Sequence, residues 1–420
     1  MLRSRLYLPL AISVLCVTSV AHSDPPASQP ADRAIYRCTL ESPGGELPFL
    51  MELSGNKNEP EGWIINGSER IVLPKVMRFR EEGRVGFLFP HYDSVIEATF
   101  DRAANTMRGT WTKRSSKDQQ SQMPFAAEAY QGFRFKPIVK MTMEITPQFP
   151  IAGRWSVQFA SDKEPCVGVF TAGSGKDVEG TFLTTTGDYR FLAGTYEFGQ
   201  LRLSCFDGAH AFLFHARMQM DGTLTGEFWS GPKGHDTWTA KRDDKAALPD
   251  GFSLTKPSAK PNVKDLHFPD LNGKDQPLGP ILGKCTLVEI FGSWCPNCHD
   301  AADVLLVLQQ RHGQEGLRIL GLAFESGDAE RDARQVKRYL ARHEANYPVL
   351  IAGVRDPKKA SAALPVIDGI KGYPSFLFVD EKGDVRAVYT GFSGPATGDE
   401  YKKLARQFDQ TIVELLGNKK

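Results

Sequence analysis

Two cysteines, Cys295 and Cys298, stand three positions apart with Pro296 and Asn297 between them, close enough to make and break a disulfide within one helical turn. They follow Thr286 to Phe291, an apolar run broken only by Glu289, and the turn Gly292-Ser293-Trp294. A helical pattern then runs from about Cys295 to His312 and stops at Gly313. Cys295 is therefore expected at the N-terminus of a helix that follows a buried strand, where unpaired backbone N–H groups and the helix dipole stabilise an anion. Thiolate, not thiol, attacks in disulfide exchange. That makes Cys295 the expected nucleophile and Cys298 the residue that resolves the mixed disulfide, the two together forming the redox-active disulfide.

The elements around the pair alternate between strand and helix, the pattern of a sheet covered on both faces. Leu317 to Phe324 reads as a strand, Asp328 to Ala345 as a charged helix and Pro348 to Ala352 as a further strand. Ser375 to Val379 and Val385 to Thr390 read as a hairpin around Lys382-Gly383-Asp384, and Asp399 to Leu416 as a closing helix.

The run Leu287-Val288-Glu289-Ile290-Phe291-Gly292-Ser293-Trp294-Cys295-Pro296-Asn297-Cys298, with the distant Gly372-Tyr373-Pro374 before a strand, resembles the thioredoxin superfamily. The nearest likeness is to the TlpA and ResA-like periplasmic thiol-disulfide oxidoreductases, over roughly the last 155 to 160 residues. The resemblance implies a thioredoxin fold over 262–420, with Ser326 to Pro365 as the helix-strand insertion of that family. It implies that Pro374 is a cis proline facing the cysteines, and that Trp294, Pro296, Asn297 and Tyr373 shape the groove for an extended substrate. Glu289, six residues before Cys295, takes the place of the buried acid of thioredoxins; desolvation should raise its pKa and suit it to accept the proton of Cys298. The chain departs from the family at Ala301 and Asp303, where the relatives carry Glu and Pro. No lysine partner for the acid is visible in Gly321-Leu322-Ala323-Phe324. His299 completes the spacing used for c-type haem attachment, but a strand, a Trp and a paired proline leave no haem-sized pocket; no cofactor is expected, and His299 either tunes the redox pair or simply faces solvent on the helix.

The remaining two thirds have another texture. Arg3 and Arg5, an apolar run from Leu6 to Val20, and Ala21-His22-Ser23 read as a secretory signal over 1–23, with an uncleaved anchor facing the periplasm as the alternative. Residues 24–34 and 245–261, rich in Pro, Ser, Ala and Lys, read as linkers. Between them, 35–244 shows short alternating runs punctuated by Gly, Asn and Asp, and reads as all-β. It contains itself twice, at about 35–135 and 151–242: Arg37 matches Arg154, Glu61-Gly62 matches Glu179-Gly180, Gly67 matches Gly187, Arg70 matches Arg190 and Gly109 matches Gly226. Two such meanders could close into one barrel or stand as two sandwiches or barrels side by side. His210 and His215 do not suggest a metal, and Asn66-Gly67-Ser68 fits a glycosylation acceptor only by its three letters. Cys38, Cys166, Cys205 and Cys285 are either small buried hydrophobes or a structural bridge.

With 51 Lys and Arg against 50 Asp and Glu, no global field draws the chain to nucleic acid. The expected protein is a periplasmic or secreted oxidoreductase that exchanges disulfides with protein partners and with an upstream thiol donor or acceptor. A thiol peroxidase with antioxidant activity shares the fold, but the Pro and Thr that usually precede its cysteine are absent from Phe291 to Cys295. A β-domain binding module with a merely structural disulfide is the other reading.

Overall fold

The computed structural model describes residues 33–55, 60–79, 83–116, 119–138 and 149–417; the expected export signal, Cys16 and nearly all of the first linker lie outside the described residues. Alternation of buried and exposed positions builds the β region, as in Gly153–Phe159, where every second side chain from Trp155 onward points inward.

The two repeats form two units side by side. Nine strands between Ala34 and Ala129 make one antiparallel sheet in which the first strand, Ala34–Ser42, pairs with both the second and the last. That sheet ends at Glu69–Val72 on one side and Lys75–Arg78 on the other, so it remains open. Eight strands between Gly153 and Arg242 close completely, Gly153–Phe159 pairing with Gly234–Arg242. Gly109 and Gly226 occupy the same penultimate strand in each unit, and a Cβ on either would run into a carbonyl oxygen of the neighbouring strand, that of Glu97 or His215. The match between the repeats thus marks places where backbones approach closely.

Aromatic side chains fill the closed barrel, with Phe182, Phe214, Phe228 and Trp238 in mutual contact. The open sheet is filled partly from outside: Phe206, Leu213 and Trp229, from the barrel's outer surface, belong to its core. Buried Arg134 fastens the two units, donating to Asn66 Oδ1 at 3.0 Å and Ser204 Oγ at 3.0 Å. Asn66 is itself fully buried and donates to the Phe206 carbonyl at 2.9 Å, which removes it as a glycan acceptor in the folded chain.

The C-terminal part is a five-stranded sheet in the order Val349–Val354, Leu317–Glu325, Cys285–Phe291, Ser375–Asp380, Val385–Thr390. The first three strands are parallel, and the last two run antiparallel to their neighbours. Strand periodicity sends Leu287 and Phe291 to the face carrying the helices Pro296–His312 and Asp399–Leu415, and Val288 and Ile290 to the other face. Glu289 shares the parity of Leu287 and Phe291. It is therefore driven under the helix that begins at the cysteines.

The stretch expected as the second linker is packed along its course. Ala246 and Leu248 lie on Val167 and Leu183 of the barrel, and the one-turn helix Gly251–Leu254, capped by Asp250, sets Gly251 against the ring of Tyr389. Among the described residues no helix is long and apolar enough to cross a membrane.

Candidate functional site

Cys295 is the N-cap of the helix Pro296–His312, its extended backbone turning the chain so that Sγ accepts from the Cys298 N–H at 3.4 Å. Pro296 follows at the first helical position, where its missing N–H costs nothing. Both cysteines are free thiols, Cys295 barely exposed at 6% and Cys298 fully buried. The Tyr373–Pro374 peptide bond is cis, and the Cys295 thiol points at the Tyr373 carbonyl oxygen, 3.7 Å away. Trp294 closes one side: its indole donates to the Phe324 carbonyl at 2.9 Å, its ring meets Tyr373 edge-on at 5.5 Å, and Arg355 lies over it at 5.6 Å. Asn297 donates to the Phe392 carbonyl at 3.3 Å, tying the helix start to the chain after the last strand.

Behind the cysteines lies Glu289, fully buried, with no well-formed hydrogen bond to either oxygen. Burial, reinforced by Cys295, pushes its pKa far above the ordinary carboxylate range, while Tyr347 and Tyr339 pull weakly the other way. Burial also pushes the Cys298 thiol well up, aided by Cys295 and Glu289. Both groups are thus held in their protonated forms, near enough to bias one another. Tyr339, which donates to the Cys298 carbonyl at 2.9 Å, and Tyr347 are the polar side chains that act on Glu289. The apolar stripe Val336/Tyr339 inside an otherwise charged helix was the available signal for the first.

Three further features were not visible in the motif. Glu325, at the end of the strand Leu317–Glu325, accepts from the Ser293 N–H at 2.6 Å and the Ser293 hydroxyl at 2.9 Å, pinning the turn before the cysteines; burial pushes its pKa up to about 7. Its signal was like that of Glu289, a carboxylate in an otherwise apolar strand. His299 does not face solvent. It is buried, and burial holds it neutral; because the Ser293 carbonyl can only accept, Nε2 donates to it at 3.0 Å and Nδ1 accepts from His343 Nε2 at 2.8 Å. Tyr92 and His91 of the open sheet cover its other side. The reason is the β region itself, which buries a helix face that an isolated redox domain would expose.

Asp300, the next residue, carries a charged contact between the regions. Its carboxylate pairs with Arg190 of the barrel, which also meets Glu69 of the open sheet at 3.4 Å and Asp207 at 3.4 Å. Burial opposes a charge on Arg190, but these acids hold it firmly protonated. The repeat match of Arg70 with Arg190 pointed to the residue, not to its partners. Asp188 adds a bond to the Gly394 N–H at 2.7 Å, and Arg331 pairs with Asp93 of the open sheet at 3.0 Å. The barrel loop Thr184–Asp188 lies on the redox face: a Cβ on Gly372 would come within 2.6 Å of Thr186, one on Gly391 would strike the Thr185 carbonyl, and Gly187 abuts Asn297.

The other buried cysteines are unlike this pair. Burial pushes the Cys166 and Cys285 thiols up to about 12 and also raises those of Cys38 and Cys205, so all four behave as small hydrophobes.

Comparison with known proteins follows the same division. No family model matches the chain. The chain is 26% identical over 127 residues to the thioredoxin-like protein YneN of Bacillus subtilis, covering 30% of this chain and 68% of that protein. It is 24% identical over 139 residues to the thiol-disulfide oxidoreductase ResA of Halalkalibacterium halodurans (33% and 71%). To the thiol:disulfide interchange protein DsbE of Allochromatium vinosum it is 27% identical over 145 residues (34% and 72%). Among solved structures, a putative DsbE from Chlorobium tepidum overlaps 39% of this chain and all of its own, at 21% identity and a TM-score of 0.31. At that score the fold assignment rests on the sheet order and helix placement above. A dithiol at a helix N-terminus, facing a cis proline and backed by a protonated acid, can carry out thiol-disulfide exchange.

Proposed function

About a third of this chain is a thiol-disulfide oxidoreductase of the thioredoxin superfamily, and from that premise we propose that Cys295 and Cys298 exchange disulfides with protein clients outside the cytoplasm. The observation that carries the assignment of roles is the placement of Cys295 at the helix N-terminus, its sulfur toward the Tyr373 carbonyl, with Cys298 and Glu289 buried behind it. In the reducing direction, the Cys295 thiolate attacks one sulfur of the client disulfide. A Cys295–client S–S bond forms, the client S–S bond breaks, and the second client sulfur leaves as a thiolate that takes a proton from solvent.

Cys298 then attacks the Cys295 sulfur and releases the client's remaining thiolate. Its proton passes to Glu289, whose protonated state must first be emptied to solvent; a burial-raised carboxyl is a strong enough base to take the proton of a thiol. Two electrons have moved to the client, the Cys295–Cys298 disulfide has formed, and an upstream dithiol restores it. Tyr373, Pro374 and Trp294 border the client's backbone, while Pro296 and Asn297 fix the helix start. The apolar segment Leu6 to Val20, with Arg3 and Arg5 before it, supports export to the periplasm or beyond.

The test is dithiol-dependent reduction of a model disulfide protein by wild type, Cys295→Ser and Cys298→Ser. Wild type should turn over and Cys298→Ser should accumulate a mixed disulfide. A wild type no faster than Cys295→Ser would remove the proposal.

A further inference from the structure

The cysteines do not open onto a free face. Cys295 lines one wall of a cavity of about 1060 Å³, with Cys298 buried behind it, and the opposite wall is the mouth of the β-barrel. At that mouth three rings meet: Tyr189 lies 5.3 Å from Phe212 and 5.2 Å from Phe228, and Phe212 lies 5.5 Å from Phe228. Beneath them Phe182, Phe214 and Trp238 fill the barrel, so the rings form an apolar floor and not the entrance to a tunnel. The loop Thr184–Asp188, seated on Gly372 and Gly391, covers part of the redox face beside Pro374. A client must therefore enter the space between the walls.

We infer that the barrel mouth is the second half of the client site: it receives a large apolar side chain carried immediately next to the reacting cysteine on an extended segment. The inference rests on the disulfide-exchange reading of Cys295. Its geometry follows from strand periodicity. An extended segment running between two walls turns alternate side chains to opposite sides, so when its cysteine meets Cys295 the neighbours at i−1 and i+1 meet the aromatic floor, and those at i−2 and i+2 do not. A compact volume of 1060 Å³ is about 10 Å across, wider than the roughly 5 Å that one extended strand occupies beside its neighbour. Polar groups at the rim, among them His210 stacked on Phe212 at 4.5 Å and Asp162, leave room for the segment's backbone to stay solvated.

The experiment uses the reduced full-length protein and octapeptides with a single cysteine, each presented as its mixed disulfide with 2-mercaptoethanol. Cys295 forms a bond to one sulfur, the mixed disulfide breaks, and Cys298 completes the transfer of two electrons; released peptide thiol is counted by mass spectrometry. Phe or Leu at i−1 or i+1 should raise kcat/KM about tenfold over Ser, the discrimination an apolar pocket ordinarily supplies, and the same residues at i−2 or i+2 should change it less than twofold. In Phe212→Ser, and separately in Tyr189→Ala, the tenfold ratio should fall below about threefold. Equal rates for Phe and Ser at i±1 in wild type, or a ratio untouched in both variants, would overturn the inference. If both variants fail to fold, the wild-type contrast between i±1 and i±2 decides alone. Failure of the underlying reading looks different: Cys295→Ser would then match wild type on 2-hydroxyethyl disulfide, which carries no neighbour residue.

Discussion

The two walls of the redox cavity are built in opposite ways. The wall that carries the cysteines comes mainly from one strand, one turn and one helix end, contiguous from Cys285 to Cys298, joined by Arg355, Lys371, Tyr373 and Thr390 of the same domain. The wall that faces it is assembled from Thr184–Tyr189, Phe212 and Phe228 of the barrel and Lys113 of the open sheet, and is held to the first by Arg190. A wall made locally keeps its geometry by helix and strand formation. A wall made at long range depends on the few contacts that dock it, and here the main one is a buried cation among acids.

That dependence sets the largest expected effect. Arg190→Leu leaves Asp300, Glu69 and Asp207 buried without their cation, which should cost about 3–5 kcal/mol of stability in chemical denaturation. Adding Asp300→Asn should recover part of the loss. If Arg190→Leu unfolds at the wild-type denaturant midpoint, the junction does not hold the walls together.

The next effect separates the walls by pH. Glu325 behind the redox wall and Glu69 in the β region are each pushed up to about 7, chiefly by burial, from an ordinary value of 4.5. Between those values the folded chain keeps a proton that the unfolded chain has released. Stability contributed by each group is therefore fully present below pH 4.5 and is lost as pH rises toward 7, by about 3 kcal/mol at most. Glu325→Gln and Glu69→Gln should each flatten the slope of stability against pH in that window. If the regions unfold as one unit, both flatten the same transition; two transitions, each sensitive to one substitution, would show docking weaker than the contacts imply.

The same contrast explains what could be read from the sequence. Cys295, Cys298, the strand before them and the helix after them follow from periodicity and spacing, because the chemistry sits on neighbours in the chain. Glu289 was singled out by its resemblance to the buried acid of thioredoxins, and its parity with Leu287 and Phe291 sets it under the helix. Arg190 with Asp300, and His299 with Tyr92, are 110 and 207 positions apart; no local pattern encodes such pairs, and the solvent-facing reading of His299 failed for that reason. The twofold repeat exposed two copies of a β meander but left open whether they share one barrel or stand apart. It could not show that one would close while the other took Phe206 and Trp229 from its neighbour to complete its core.

Within the redox wall, Glu289→Gln should lower the exchange rate about 10²-fold near neutral pH, since it removes the proton acceptor without changing side-chain size. The loss should fall on resolution: rapid-quench experiments should show the Cys295–client mixed disulfide accumulating while its formation keeps nearly its wild-type rate. Loss confined to the first step would assign Glu289 to the Cys295 thiol.

The smallest effect probes whether the walls touch as described. A methyl added by Gly372→Ala would come within 2.6 Å of Thr186 Cγ2 and 2.8 Å of its Cβ, closer than side chains pack. Relief requires either the barrel loop or the loop before Pro374 to shift, at about 1 kcal/mol of stability. In a Thr186→Gly background those opposing atoms are gone, so the same substitution should cost less than half as much. A double-mutant cycle with no coupling would mean that the barrel loop stands away from the redox face, leaving Cys295 more open than its 6% exposure and turning the two-walled cavity into two separate surfaces.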